Sequence, residues 1–147
     1  MELGIPEEMV QDNHSRSRRG VVRGMHVSVG RGAAKLVRCG RGAIYDVLVD
    51  VRRGSPTFGQ WEGFDLTDAN MHLLYAPVGF AHGFCVLSDT ADVLYKQDAY
   101  YEPDIDRAFK YDDPDVAIEW PLPADPADPS SVSAKDVAAP RFADLAP

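Results

Sequence analysis

The chain has 147 residues and a formal net charge of −8 at neutral pH, with 45% hydrophobic and 26% charged residues. This length predicts one domain over residues 1–147, large enough to bury a core without disulfides or metal ions. The net charge argues against a nucleic-acid partner, and no stretch is long and apolar enough to span a membrane. The N-terminus lacks the basic and apolar regions of a signal peptide, so we expect a cytoplasmic protein.

The charges are distributed unevenly along the chain. Eight of the 15 Lys and Arg residues fall between Arg16 and Arg41, whereas 12 of the 23 Asp and Glu residues lie from Asp98 onward. A compact basic cluster in an acidic protein suits a small anion, such as a phosphorylated ligand, better than a polymer.

The residue pattern over positions 16–27 predicts a basic β-strand. Apolar residues alternate on one face of this strand, and His26 lies on the other. Gly24 would allow a bulge or the close approach of a ligand, so that Arg23 and His26 could serve one cavity. The functional interpretation is a general base beside an anion site. The alternative is a solvated basic strand with a structural histidine.

The rest of the chain is predicted to be almost entirely β. Alternating apolar runs between Gly-, Ser- and Pro-containing turns predict further strands at residues 33–39, 43–51, 60–66, 72–76, 82–87 and 92–97. In residues 43–51, Asp46 and Asp50 share a face with Ile44. Many short strands at regular spacing indicate a sandwich or barrel such as a jelly roll. From Glu102 onward prolines interrupt regular structure, and aromatic residues predict an irregular segment packed outside the barrel: Phe109, Tyr111 and Trp120.

Two histidines are candidates for chemistry. His26 and His82 lie on different predicted strands, and small and aromatic residues around His82 could frame a pocket. A metal site in a barrel usually needs a third or fourth ligand close by, and neither histidine has one. A base or hydrogen-bond donor is therefore favoured over a metal ligand. Cys39 and Cys85 are expected to be buried free thiols, with one disulfide as the alternative.

A lysine and a group of tyrosines extend this set. Lys35 lies on the strand after His26 and would approach the same cavity if the two strands pair; it is either a solvated charge or a stabiliser of an oxyanion. Tyr95, Tyr100 and Tyr101 end the group of strands. Such a cluster usually serves core or rim packing, but a phenol at a cavity mouth can also deliver a proton.

A series of motifs occurs in one order between residues 11 and 140. They are QDNHSRS (11–17), VRGMH (22–26), KLVR (35–38), RRGSPTFG (52–59), PVGFAHGF (77–84), LYK (94–96), DDP (112–114), WP (120–121) and SAKD (133–136). This ordered set resembles the dTDP-4-dehydrorhamnose 3,5-epimerase family of nucleotide-sugar enzymes. The resemblance implies an all-β, cupin-type jelly roll that forms a homodimer. It also implies epimerisation of a dTDP-4-keto-6-deoxy hexose at carbon 3, carbon 5 or both, without a metal or other cofactor.

The resemblance implies roles for individual residues. His26 matches the base that removes a proton beside the ketone, and Asp136 matches the carboxylate that orients it. Lys35 matches the residue that stabilises the enolate oxygen. Tyr101 matches the acid that returns a proton on the opposite face of the sugar. The other matched positions imply substrate contacts: Gln11, Asn13, Arg23, His82 and Tyr95.

The chain departs from the family pattern in places. Val27 and Ser28 follow His26, where the family typically has an aromatic residue and a glutamine. Family members also usually carry an N-terminal segment that reaches the partner's nucleotide, whereas this chain begins ten residues before Gln11. We therefore expect dTDP to be held weakly. The alternative functions are a carbon-3-only epimerase, a nucleotide-sugar ketoisomerase and a catalytically weak jelly-roll binding module.

Overall fold

The computed structural model describes residues 4–145, and the chain there is built almost entirely from short strands. The strands are β1 Gln11–Arg18, β2 Val22–Ser28, β3 Lys35–Arg41, β4 Ala43–Asp50, β5 Trp61–Thr67, β6 Leu74–Ala76, β7 Phe80–Val86, β8 Thr90–Gln97 and β9 Asp106–Ala108. A four-residue helix, α1, covers Ala134–Val137, and a 3₁₀ turn covers Phe142–Asp144.

The strands form two antiparallel sheets that face each other. One sheet has the order β1-β8-β3-β6 and the other has the order β5-β4-β7-β2-β9. Apolar residues of both sheets meet in a shared core that includes Val37, Val93, Ile44 and Val86. The alternation of apolar residues therefore buries one face of each sheet against the other. This arrangement confirms the prediction of an all-β jelly roll.

The basic stretch is two strands, so the prediction of a single strand over residues 16–27 is wrong. Residues Arg19 and Gly20 form a turn between β1 and β2, which lie in different sheets. Gly20 adopts a φ of +82°, a left-handed conformation that glycine takes without steric cost. The chain therefore reverses direction here, and β1 and β2 lie on opposite sides of the space between the sheets.

The C-terminal segment covers the outer face of the five-stranded sheet, as predicted. Phe109 is fully buried there against Met25, Val27 and Val47. Trp120 donates a hydrogen bond of 2.8 Å from its indole nitrogen to the carbonyl of Tyr111, which fixes the next part of the segment. The segment thereby packs on the outer face of β2, while the inner face of β2 is directed toward the opposite sheet.

Other sequence predictions concern cysteines, metals and membranes. Cys39 and Cys85 are buried and free, as expected. Among residues 4–145, no three His, Cys, Asp or Glu side chains are grouped so that they could hold a metal ion. Within the same range, no helix has the length and apolar character needed to cross a membrane.

Candidate active site

His26 and Asp136 form a close pair between β2 and α1. The Nε2 atom of His26 lies 2.6 Å from Oδ1 of Asp136, and Oδ2 accepts a hydrogen bond of 3.3 Å from the backbone N–H of Gly24. Asp136 is only 3% exposed. Burial alone would raise the pKa of the Asp136 carboxyl, but its bonds to His26 and Gly24 hold that pKa below its usual value. The carboxylate therefore stays charged and fixes the tautomer of the ring.

Two local features hold Asp136 against the strand that carries His26. Ser133 is the N-cap of α1, and its hydroxyl accepts a hydrogen bond of 3.1 Å from the backbone N–H of Asp136. A bridge between Val22 and Val132 attaches the preceding chain to β2. These contacts explain how residues from the two ends of the chain meet.

A bulge in β2 directs His26 into the space between the sheets. The register of β2 with β7 shifts between Arg23 and His26, which is the first of the two alternatives drawn for Gly24 from the sequence, a bulge or the close approach of a ligand. A Cβ atom at Gly24 would lie 2.8 Å from the Cα of Gly83 on β7. The backbones of β2 and β7 therefore approach each other closely at Gly24. Met25 packs on the C-terminal segment, and His26 faces the opposite sheet.

His82 and Asp46 form a second His–Asp pair in the same space. The Nε2 atom of His82, on β7, lies 2.9 Å from Oδ2 of Asp46, on β4. The two residues are 6% and 0% exposed. The second oxygen of Asp46, Oδ1, is buried and has no hydrogen-bond partner among residues 4–145. Burial raises the pKa of the Asp46 carboxyl, although His82 and Lys35 oppose this rise.

Lys35 reaches the cavity from the opposite sheet. β3 pairs with β6 and β8 and not with the strand of His26, so Lys35 approaches the cavity without the strand pairing on which that approach was predicted to depend. The connection at residues 29–34, which includes a turn at residues 30 and 31, carries the chain across to the other sheet. Burial lowers the pKa of the Lys35 ammonium group, while the carboxylates of Asp106 and Asp46 oppose that decrease.

A cavity of about 300 Å³ between the sheets joins these groups. Tyr95, on β8, contributes to its wall, and its ring centre lies 5.5 Å from the Nζ atom of Lys35. Burial raises the pKa of the Tyr95 phenol, so the phenol keeps its proton at neutral pH. The cavity brings together six of the residues singled out from the sequence: Asn13, Arg23, His26, Lys35, His82 and Tyr95.

Two other predicted residues lie beside the cavity. The side chain of Tyr101 is 56% exposed and is not part of the cavity wall. The backbone N–H of Tyr101 donates a hydrogen bond of 2.8 Å to Oε1 of Gln11, and Gln11 donates one of 3.0 Å to Oδ1 of Asn13. Tyr101 therefore lies beside Gln11, the first residue of β1, and both lie next to Asn13 at the edge of the cavity.

Arg23 lies at another side of the cavity. Its guanidinium group donates hydrogen bonds of 3.0 and 3.2 Å to the hydroxyl of Ser17. It lines the central cavity and also a neighbouring open cavity of about 490 Å³. A planar guanidinium in this position suits an anionic group attached to a ligand in the cavity.

Three polar residues near this site were not singled out as site residues from the sequence: Asp46, Asp106 and Lys135. Asp46 shared a face with apolar residues in the sequence, which was the available signal for a buried functional group. Lys135 lies 3.3 Å from Asp106, which is paired with Ser28 at the edge of the five-stranded sheet. Lys135 directly precedes Asp136, so this ion pair adjoins the first His–Asp pair. No motif in the sequence indicated that β9 would lie beside β2.

Two facing antiparallel sheets with a polar cavity between them place the chain among the cupin-type jelly rolls. The sequence profile of the dTDP-4-dehydrorhamnose 3,5-epimerase family matches residues 1–144. The chain belongs to this family of isomerases, which confirms the resemblance drawn from the motifs.

Individual relatives agree with this assignment. A dTDP-4-dehydrorhamnose 3,5-epimerase of Pseudomonas aeruginosa is 48% identical over 141 residues, which are 96% of this chain and 76% of the relative. A dTDP-4-dehydrorhamnose 3-epimerase of Streptomyces niveus is 43% identical over 146 residues, 99% of this chain and 70% of the relative. The crystal structure of a 3,5-epimerase of Legionella pneumophila in complex with dTDP-4-keto-L-rhamnose is 46% identical, with a TM-score of 0.87. The match covers 96% of this chain and 73% of that chain.

Proposed function

We propose that this protein epimerises a dTDP-linked 4-keto-6-deoxy hexose at carbon 3, carbon 5 or both. The observation that carries the proposal is the arrangement of His26 and Asp136, 2.6 Å apart, in one cavity with Lys35 and Tyr95. This cavity combines a base, a cation and a phenol that holds its proton. Such a set fits proton removal and return beside a ketone. The dTDP-sugar bound to the Legionella relative supports the choice of substrate class.

The reaction proceeds through an enolate. The ketone at carbon 4 acidifies the hydrogens at carbons 3 and 5. Neutral His26 takes one of these as a proton, the C–H electron pair becomes a C=C bond, and the former carbonyl oxygen gains the negative charge. Asp136 stabilises the imidazolium that forms. Return of a proton to the other face of the same carbon restores the ketone and inverts the centre.

Tyr95 is the proton donor in this proposal. Its phenol lines the cavity, and burial raises its pKa, so it is protonated when the enolate forms. After donation the phenolate recovers a proton and His26 loses one, by exchange with solvent. Tyr101, the donor that the family resemblance implied, lies beside the cavity with an exposed side chain and suits contact with the nucleotide part of the ligand.

Lys35 and His82 face the enolate oxygen in this scheme. Both line the cavity, and Lys35 lies on the sheet opposite the one that carries His26. A positive group in a largely water-excluded cavity stabilises a developing oxyanion strongly, because the dielectric constant is low there. Arg23, Gln11 and Asn13 are proposed to bind the diphosphate and sugar, since they lie around the cavity opening.

The protein is also proposed to act as a homodimer. The outer face of the four-stranded sheet carries a cavity of about 750 Å³, lined in part by Leu36, Leu94, Met71 and Leu73. Met71 and Leu73 are 81% and 48% exposed. Charged residues such as Asp12, Arg38 and Lys96 also line this cavity, and a partly apolar exposed face of this kind suits association with a second copy of the chain. Light scattering should give a dimer mass that Leu73→Asp reduces to the monomer mass.

The function is tested by incubating the protein with dTDP-4-keto-6-deoxyglucose in deuterated water. NMR should show deuterium at carbon 3, carbon 5 or both, with inverted product. Deuterium at carbon 3 alone would indicate a 3-epimerase, which is the activity in the name of the Streptomyces niveus relative. A folded protein that binds the compound but exchanges neither hydrogen would instead be a binding module, and a product with the ketone moved from carbon 4 to carbon 3 would indicate a ketoisomerase.

A further inference from the structure

Two histidines line the cavity, and each pairs with a buried aspartate in different surroundings. In the first, the side chain of His26 is 35% exposed, and both oxygens of Asp136 are hydrogen-bonded. In the second, His82 and Asp46 are buried, and one oxygen of Asp46 has no partner among residues 4–145. Two similar pairs in different environments can hold different numbers of protons, which is how one cavity supplies both a base and an acid.

The contact between His82 and Asp46 determines which ring nitrogen remains available. Nε2 of His82 is engaged by Asp46 at 2.9 Å, so Nδ1 is the nitrogen left for other partners. If the pair as a whole is neutral, Nδ1 carries a hydrogen, whether the shared hydrogen lies on Nε2 or on the carboxyl oxygen. If the pair carries a negative charge, Nδ1 is bare and would repel an enolate oxygen.

Burial favours the neutral pair. An isolated negative charge in a buried site is costly, and Asp46 is 0% exposed with Phe64 and Phe84 as its strand partners on either side. Burial raises the pKa of the Asp46 carboxyl, whereas hydrogen bonds hold the pKa of Asp136 low. The other charged or titratable groups that line the cavity are Arg23, His26, Lys35 and Tyr95, together with His14 at its edge.

We propose that Asp46 is a positioning residue that keeps a hydrogen on the cavity-facing Nδ1 of His82, so that His82 donates a hydrogen bond to the enolate oxygen. This inference rests on the enolate reaction proposed above. As negative charge develops on the substrate oxygen, the shared hydrogen moves toward Nε2, and the ring becomes an imidazolium. No proton leaves the pair, and the pair returns to its first state when the ketone reforms.

Asp50 provides a matched comparison on the same strand. It is also buried, at 2% exposed, but its carboxylate accepts hydrogen bonds from Arg52, Ser55 and Thr57 and not from a histidine of the cavity wall. A purely structural aspartate is expected to be satisfied in this way. The unpartnered oxygen of Asp46 instead leaves a buried polar atom that a structural role does not require.

The test compares Asp46→Asn, His82→Asn, the double variant and Asp50→Asn. Asp46→Asn should lower the rate of deuterium exchange roughly 10²-fold, with an unchanged or higher melting temperature. The double variant should be no slower than the slower single variant, because the two residues act as a unit. Asp50→Asn should lower the melting temperature while the folded protein exchanges at the wild-type rate. Additive losses, or normal exchange in Asp46→Asn, would overturn the inference and leave the proposed function standing.

A second readout does not depend on activity. The ¹⁵N chemical shifts of the His82 ring in the ligand-free protein should show a protonated Nδ1, and a shared hydrogen at Nε2 that Asp46→Asn removes. A bare Nδ1 in the wild-type protein would overturn the inference. If the wild-type protein exchanges no sugar hydrogen, the proposed function fails, and this spectrum alone decides the state of the pair.

Discussion

The imidazole of His26 lies 2.6 Å from the carboxylate of Asp136, although the two residues are 110 positions apart in the chain. The first belongs to a strand of the barrel, and the second belongs to a short helix in the irregular segment outside it. The proposed base is therefore complete only when the C-terminal segment is docked. Its strength depends on contacts that hold this segment against β2.

Asp136→Asn should lower the rate of deuterium exchange by roughly 10²–10⁴-fold, because an amide cannot stabilise the imidazolium that forms on His26. Stopped exchange reactions analysed by NMR give this rate. Ser133→Ala is the control: it removes only the cap of α1, at a cost of about 1 kcal/mol, and should slow exchange far less. An Asp136→Asn variant as fast as the wild-type protein would assign the base elsewhere.

Tyr95→Phe should retain some hydrogen exchange but lose net inversion, since it removes the phenol inside the cavity while His26 remains. Tyr101→Phe is the matched variant, with the same atom removed from an exposed side chain. It should invert the sugar at close to the wild-type rate, with an effect confined to ligand affinity. NMR of the product distinguishes exchange from inversion. Loss of inversion in Tyr101→Phe alone would restore Tyr101 as the donor.

Gly24→Ala should destabilise the fold by about 2 kcal/mol or more, because the new methyl group meets the backbone of β7 where neither strand can yield. The φ of +142° at Gly24 adds strain for any other residue. Gly20→Ala is the control: its φ is also positive, at +82°, but no atom lies within 4 Å of the added Cβ. It should cost only about 1 kcal/mol. Urea unfolding measures both, and equal losses would contradict the close approach.

Asp50→Asn should lower the free energy of unfolding at pH 7 by about 1–3 kcal/mol. Hydrogen bonds from Arg52, first among several donors, hold the pKa of the Asp50 carboxyl well below its usual range. A depressed pKa contributes stability above the unfolded-state pKa of about 3.9, and this stability is lost as pH falls toward the folded-state pKa. The difference between the variant and the wild-type protein should therefore shrink below pH 4.

Asp89→Asn is the control for that experiment. Asp89 also pairs with an arginine, Arg19, but its side chain is 95% exposed. An exposed pair contributes little, so this variant should unfold within about 0.5 kcal/mol of the wild-type protein at every pH. A pH-independent loss in Asp50→Asn would show that its carboxylate charge does not matter.

The strands with apolar alternation could be predicted from the sequence, but β1 could not. β8 places apolar residues on the inner face at every second position, and β4 places them on the outer face that the C-terminal segment covers, which is the signal that strand prediction uses. In β1 the alternating positions carry polar residues on both faces, because the inward ones approach the cavity: Gln11, Asn13, Ser15 and Ser17. In β1, polar residues that approach the cavity therefore take the positions where apolar residues would have marked a strand.

The site was predictable in its residue types and less so in its geometry. The motifs indicated His26, Lys35 and Asp136, but the sequence left open whether the strands of His26 and Lys35 pair. The two strands lie in facing sheets, so His26 and Lys35 approach the cavity from opposite sides. Asp46 carried a signal as a polar residue on an apolar face, but its partner His82 is 36 positions away, and nothing local links the two.

The central claim is that His26 removes a proton beside the ketone of a dTDP-linked 4-keto sugar. The most direct test measures deuterium at carbons 3 and 5 after incubation in deuterated water with the wild-type protein and with His26→Asn. We expect deuterium with the wild-type protein and none above the uncatalysed level with His26→Asn, although calorimetry should show that the variant still binds dTDP. Undiminished exchange in His26→Asn would contradict this mechanism.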